Sequence, residues 1–393
     1  LKWYFYEPGK PETVPFMSKH IVFVVLCSLS FLTGIQSFSA PQENKPVIYA
    51  GIEVGSKGVK MSIVEIGKNA QSNGEFRIIK DTTVNTDFIS FTEATFQATL
   101  NGLASLFQVA QQDFNIPVKR IFTVISSGVK MQADKEKKTD WITNFITAFQ
   151  QRVNDPGRKV EVVDVLQEAR LSHLGIVPNA RRYNTFLIDI GSGNTKGGYF
   201  PYGNTNEFKL FQLNWGTKST TNAAEKGLSE DKSLASYRRQ LRMVLEGAEN
   251  TDIIYAVNAS GAYPLSDNIA FSGGIAWSVA TLIRPEMTGN SVVAVSYEDV
   301  VKFSETLFTN FSSLSPEELA NKINDPGVNK EAVMREVKRV HSVFDQRSLM
   351  GGTGLLLKIM RQFKSVYESK QFYLVKNGQV GWISAYVQDV IED

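Results

Sequence analysis

Apolar positions run almost unbroken through 47–54 and resume over 59–66, with Gly55-Ser56-Lys57-Gly58 between them, which predicts two paired strands and a tight turn. A third strand is expected at 76–84. Phe96, Leu100, Leu103 and Phe107 then fall at helical spacing, so 92–112 reads as a helix burying one face. A buried strand at 121–125 ends in Ser126-Ser127-Gly128, and a helix at 140–153, a strand at 160–165 and a short helix at 166–175 follow. The second half restarts in the same order, with strands at 185–190, 196–200 and 209–213 and polar helices at 218–226 and 229–248. Beyond them the pattern predicts strands at 253–257 and 269–271, a helix at 276–283, and helices over 297–311, 316–323 and 330–344. The stretch 348–363 reads as extended backbone turning through Gly351-Gly352 into an apolar helix, and 371–375 as a last strand before a C-terminal helix.

Two short stretches carry the repetition. Ile52-Glu53-Val54-Gly55-Ser56 and Ile188-Asp189-Ile190-Gly191-Ser192 each close an apolar strand on a carboxylate and turn through Gly and Ser into a second strand near Lys60 or Lys196. A carboxylate at a buried strand end needs a cation or hydrogen-bond donors, and a Gly-Ser turn leaves backbone N–H groups bare to meet an anion. The bland alternative is an ordinary hairpin, but the repetition with an acid in front favours a phosphate site. A duplicated strand-meander-plus-helices unit predicts an α/β fold of two related lobes, mixed sheets flanked by helices, with a cleft between. The expected boundaries are 47–166 for the first lobe and 167–393 for the second, with a helical insertion at about 297–346 and a C-terminal segment returning to the first lobe.

Composition narrows the picture. At 393 residues and 42% hydrophobic, the chain supports two domains of ordinary size. Its 42 basic and 40 acidic residues leave a net charge of +2, which gives no reason to expect nucleic acid as partner. Residues 1–16 read as an upstream extension. Met17, the basic Lys19 and His20, the apolar run 21–32 and Ser37-Phe38-Ser39 describe a signal peptide cleaved near Ser39, so 1–39 is read as a leader and the protein as exported to the periplasm without a lasting membrane anchor. The alternative is an uncleaved anchor, for which the run is short. The one cysteine, Cys27, lies in that run, so the mature chain would have no disulfide, thiolate metal site or cysteine nucleophile. His173 and His341 lie too far apart to give metal-ligand spacing.

From about Val47 to the C-terminus this order of motifs resembles the exopolyphosphatase and guanosine pentaphosphate phosphohydrolase family of the actin-like, sugar-kinase superfamily. Glu53 to Ser56 looks like that family's first phosphate loop, and Asp189 to Thr195 like its second. Ser126 to Asp134 is similar to a family stretch in which Lys130 falls on an arginine. Leu166-Gln167-Glu168-Ala169-Arg170-Leu171 resembles its Glu-Glu-Ala-Arg-Leu segment. Gly216-Thr217-Lys218, Ser272-Gly273-Gly274 and Gly351-Gly352 are similar to three later glycine turns.

The resemblance implies ribonuclease H-like (actin-like) lobes and Mg²⁺-dependent (or Mn²⁺-dependent) removal of terminal phosphate from polyphosphate or a related nucleotide-type phosphoanhydride. It assigns Glu168 as the base that activates water, and Glu53 and Asp189 as metal holders. Gly55, Ser56, Gly191, Ser192, Gly193, Asn194 and Thr195 would cradle the phosphate, with Lys57 and Lys130 neutralising its neighbours. Glu168 read alone is one acid among 40, and Lys130 an ordinary surface lysine. Four departures from the family pattern stand out: Glu53 for aspartate, Asn194 for serine, Lys130 for arginine, and Lys196 where the family carries an acid. A lysine there would abolish a metal site or replace the metal with an ammonium group, so a protein of the same fold that binds polyphosphate or nucleotide without cleaving it is the second expectation. The helices at 297–344 leave both a lid and a homodimer contact open.

Overall fold

Each predicted hairpin founds a sheet. In the computed structural model, which describes residues 47–67, 76–263, 266–364, 369–376 and 378–392, β1 (Val47–Gly55) and β2 (Gly58–Ile66) pair antiparallel with Gly55 opposite Gly58. The leader expected over 1–39, with Met17, Cys27 and Ser39, lies outside these residues. β3 (Phe76–Asn85) extends the meander, and β4 (Ile121–Ile125) and the short β5 (Glu161–Val162) add in parallel on the other side, giving the order β3-β2-β1-β4-β5. β6 (Thr185–Ile190), β7 (Thr195–Tyr199) and β8 (Lys209–Leu213) repeat the meander. β9 (Asn268–Ser272) and β11 (Gln371–Val375) repeat the parallel strands, and β10 (Val292–Val295) is an added antiparallel edge. The two sheets therefore share one topology, and the duplication read in the motifs extends to the whole strand order.

Helices cover both faces of the sheets at their inner strands, so β1 and β6 are buried and apolar on both sides, whereas the edge strand β3 is exposed at Arg77, Lys80, Asp81, Thr83 and Asn85. Thirteen described α-helices occur in order: α1 (Glu93–Gln112), α2 (Ser127–Lys135), α3 (Thr139–Arg152), α4 (Val165–Ile176), α5 (Thr217–Lys226), α6 (Leu234–Ala248), α7 (Ile254–Ser260), α8 (Gly274–Ile283), α9 (Tyr297–Thr309), α10 (Pro316–Asn321), α11 (Lys330–Val343), α12 (Gln346–Phe363) and α13 (Gly378–Glu392). Ala50, Ile52 and Val54 pack with Phe96, Leu100 and Leu103 of α1 in one core. The alternate positions of β1 face α13: a Cβ on Gly51 would lie 2.6 Å from Ile383. Glu53, two residues on, shares that face. α13 crosses α4 where Gly175 meets Gly381, an approach so close that a Cβ on Gly175 would strike the Gly381 carbonyl. This crossing sets Glu168 of α4 and Trp382 of α13 beside the end of β1.

Four elements differ from the sequence reading. The expected strand at 253–257 is helical, because α6 continues through a π turn, Glu249–Ile253, into α7. Ile253 and Val257 are buried while Tyr255 is exposed, an i, i+4 spacing that a short apolar run disguises as a strand. Residues 346–363 are one continuous helix, N-capped by Asp345, whose carboxylate accepts from Ser348 N–H at 2.7 Å. Gly351 and Gly352 make no turn there; they let α12 approach Thr221 and Ile275. Finally, Ser127 opens a helix at once, and β10 answers an apolar run that the sequence reading left unassigned.

Candidate anion-binding cleft

The carboxylate-plus-turn repeat dictates a cross-strand pair in each lobe. With Gly55 opposite Gly58, Glu53 stands opposite Lys60; with Ile190 opposite Thr195, Asp189 stands opposite Lys196. Directly opposed residues project from the same face, so each hairpin presents an acid and a lysine side by side. Lys60 Nζ lies 3.7 Å from Glu53 Oε2, and Lys196 Nζ 3.4 Å from Asp189 Oδ2. The hairpins meet at a cleft of about 1140 Å³ lined by Gly55, Ser56 and Lys57 from one loop and Gly191, Ser192, Gly193 and Asn194 from the other. Their proximity is read at Gly128, where an added Cβ would lie 3.3 Å from Ser56 Oγ and 3.9 Å from Asn194 Oδ1.

The second lysine organises the floor. Lys196 Nζ donates to Glu168 Oε1 at 2.8 Å, and Glu168 Oε2 accepts from the Ser127 N–H at 2.7 Å, so both carboxylate oxygens are engaged. Asp189 Oδ1 accepts from Ser272 Oγ at 2.9 Å. Glu53 Oε2 accepts from Trp382 Nε1 at 3.2 Å. Burial opposes the ionised form of Glu168, but the Lys196 charge and the Lys196 and Ser127 hydrogen bonds outweigh it and hold the carboxyl below its usual range. Burial opposes the charge on Lys196 too, yet Glu168, Asp189 and Glu53 hold its ammonium above the ordinary lysine value. Glu53 goes the other way: burial dominates over Lys60 and raises it, so it accepts a proton before Glu168 does.

Several expected site residues lie elsewhere or have other partners. Lys130 turns to Asp134 one helical turn along, at 3.4 Å, and does not line the cleft. Thr195 is fully buried and its hydroxyl donates to the Trp215 carbonyl at 2.7 Å, so it cannot serve a ligand in this arrangement. The Gly191 N–H is spent on the Asn194 carbonyl at 2.9 Å, and the Asn194 amide side chain contacts Met131 Sδ at 3.4 Å. The second loop is in turn held by the start of α5, where Thr217 N–H bonds the Gly191 carbonyl and Lys218 N–H the Ser192 carbonyl. The sequence reading missed Lys60, Ser127, Ser272 and Trp382. Lys60 was legible by counting across the hairpin; Trp382 was not, because its position depends on the α4–α13 crossing.

A divalent ion does not fit this floor. Mg²⁺ asks for near-octahedral oxygen ligands at about 2.0–2.1 Å, whereas the facing oxygens of Glu168 and Asp189 hold an ammonium between them. Among the described residues no group of three or more His, Cys, Asp or Glu side chains is placed to hold a metal. Lys196 is thus an internal cation beside Asp189, one of the two expected metal holders.

Two α/β lobes of shared topology, each opening with an acid-bearing hairpin at a common cleft, define the actin-like, ribonuclease H-like class of fold. Within that class the chain is similar to solved structures of the Ppx/GppA family. An Aquifex aeolicus family member matches with a TM-score of 0.58 at 16% identity over 88% of this chain and 98% of that one. The type II variant of the Aquifex aeolicus Ppx/GppA phosphatase gives 0.55 at 17% over 86% and 99%. An exopolyphosphatase from Cytophaga hutchinsonii gives 0.58 at 13% over 87% and 98%. At these identities the likeness establishes the fold. No protein-family model and no curated protein sequence matches the chain.

Proposed function

We propose that the cleft binds a phosphoanhydride, a polyphosphate chain or the phosphates of a nucleotide, with the Lys196 ammonium in place of a divalent cation and without efficient hydrolysis. The observation that carries this reading is Lys196 Nζ, 2.8 Å from Glu168 and 3.4 Å from Asp189. An acid with both oxygens engaged and its proton affinity lowered is a poor acceptor for a water proton, since a general base works best with a pKa near the working pH. Both loops line the cleft, and protonation of Glu53 would leave the floor with two carboxylates against two ammonium groups. The fold shared with exopolyphosphatases supports the ligand class.

The same likeness supports a second reading, Mg²⁺-dependent hydrolysis with Glu168 as base and Glu53 and Asp189 at the metal, which requires Lys196 to leave both acids. We place the protein outside the inner membrane on the leader read at 17–39; the mass of the mature N-terminus tests that.

Equilibrium binding of tripolyphosphate and of ADP, run beside a phosphate-release assay with Mg²⁺ or Mn²⁺, separates the readings. Saturable binding with no release above background is expected. Release that Glu168→Gln abolishes would select the hydrolase, and absence of any binding would reject both.

A further inference from the structure

At the mouth of the cleft a second charge cluster joins the lobes. Lys57 projects from the first hairpin turn and is ion-paired and hydrogen-bonded to Asp87, which lies between β3 and α1. Lys218, the second residue of α5 in the other lobe, reaches the second oxygen of the same carboxylate at 4.0 Å. Both lysines line the cleft. Two ammonium groups thus converge on one carboxylate and leave a net positive charge. Burial, and then the neighbouring Lys57, pull Lys218 below the ordinary lysine value despite Asp87. A carboxylate bridging two cations makes the contacts an incoming phosphoryl oxygen would make, with fewer charges and a fixed tether.

We infer that Lys57, Asp87 and Lys218 form an anion clasp in which Asp87 stands in for the ligand, and that a second phosphoryl group of a bound phosphoanhydride chain displaces it to be gripped from both lobes at once. This rests on the phosphoanhydride reading of the cleft and adds the ligand's minimum length: one phosphoryl group at the paired loops and another at the mouth. Displacement needs no proton or metal. A chain phosphate exchanges places with Asp87, whose carboxylate turns to solvent, since it is already partly exposed. Orthophosphate, with one centre, would seat at the loops and leave the clasp closed, so discrimination between single phosphates and chains would come from this cluster.

The test is calorimetric titration of orthophosphate and tripolyphosphate into the wild type, Asp87→Asn and Lys218→Gln. Removing the internal competitor should tighten tripolyphosphate about tenfold, and removing Lys218 should weaken it by a similar factor, each near 1.4 kcal/mol, while orthophosphate changes little in either. Circular dichroism and melting of both variants control for folding, and the two opposite directions cannot both follow from damage. Tripolyphosphate affinity unchanged or weakened by Asp87→Asn, in a wild type that does bind it, overturns the clasp and spares the cleft. If the wild type and both variants bind neither anion, the phosphoanhydride reading itself has failed.

Discussion

A lysine buried between two carboxylates is stable only as a set, because removing one partner leaves the others desolvated and uncompensated. Lys196→Met should therefore cost about 3–5 kcal/mol in urea unfolding, far more than loss of the exposed Lys130–Asp134 pair, worth at most about 1 kcal/mol. The pH dependence has a definite sign. Glu168 is held below its ordinary 4.5, so its contribution is complete above that pH and is lost as pH falls through its folded value. Lys196 is held above 10.5, so its contribution is complete below that pH and is lost as pH rises. His173 adds an earlier acid limb. Burial pushes it down from 6.5 to about 4, and its ring sits edge-on to Phe200 with Nε2 at the Thr185 carbonyl. The unfolded chain takes up that proton first, so the His173 contribution to stability should decline by roughly 3 kcal/mol between pH 6.5 and 4, against an opposite contribution from Glu53, whose carboxyl is raised. His173→Gln should flatten this limb in a pH series of unfolding curves. An unchanged slope would remove His173 from the account.

Among the elements, the hairpins were readable and the helix crossings were not. A strand that ends on an acid and a Gly-Ser turn fixes its own register, so Glu53 against Lys60 and Asp189 against Lys196 follow from counting outward from the turn. What Lys196 does besides meeting Asp189 depends on α4, whose Glu168 arrives from elsewhere in the chain. The α7 helix was hidden because a seven-residue element offers too few turns to show its period. The second loop depends on Gly216, where a Cβ would lie 2.6 Å from both Asn194 N and the Gly191 carbonyl and 2.7 Å from the Ser192 carbonyl. All three are backbone atoms and cannot give way as a side chain can. Gly216→Ala should cost about 1–3 kcal/mol by overpacking and abolish tripolyphosphate binding through displacement of the loop. Wild-type affinity in that variant would separate the loop from the site.

Across the molecule, the C-terminal helix joins the first described strand to a helix far along the chain. α13 lies against β1 and α4, with Trp382 and Ile383 in the core that also holds Val64, Val124 and Leu171. Trp382→Ala should cost about 3–5 kcal/mol, and the indole bond to Glu53 makes the loss reach the cleft, so tripolyphosphate binding should weaken with it. Loss of stability with full binding would detach α13 from the site. The duplication of the lobes was legible in the repeated motifs; the chemistry could not be finished from them, because Lys196 decides what the acids face. That decision is tested most directly by titrating tripolyphosphate into the wild-type protein in EDTA and again in excess Mg²⁺. Equal or tighter binding in EDTA, lost in Lys196→Ala, is the predicted result; binding that appears only with Mg²⁺ would contradict an ammonium in the cation's place.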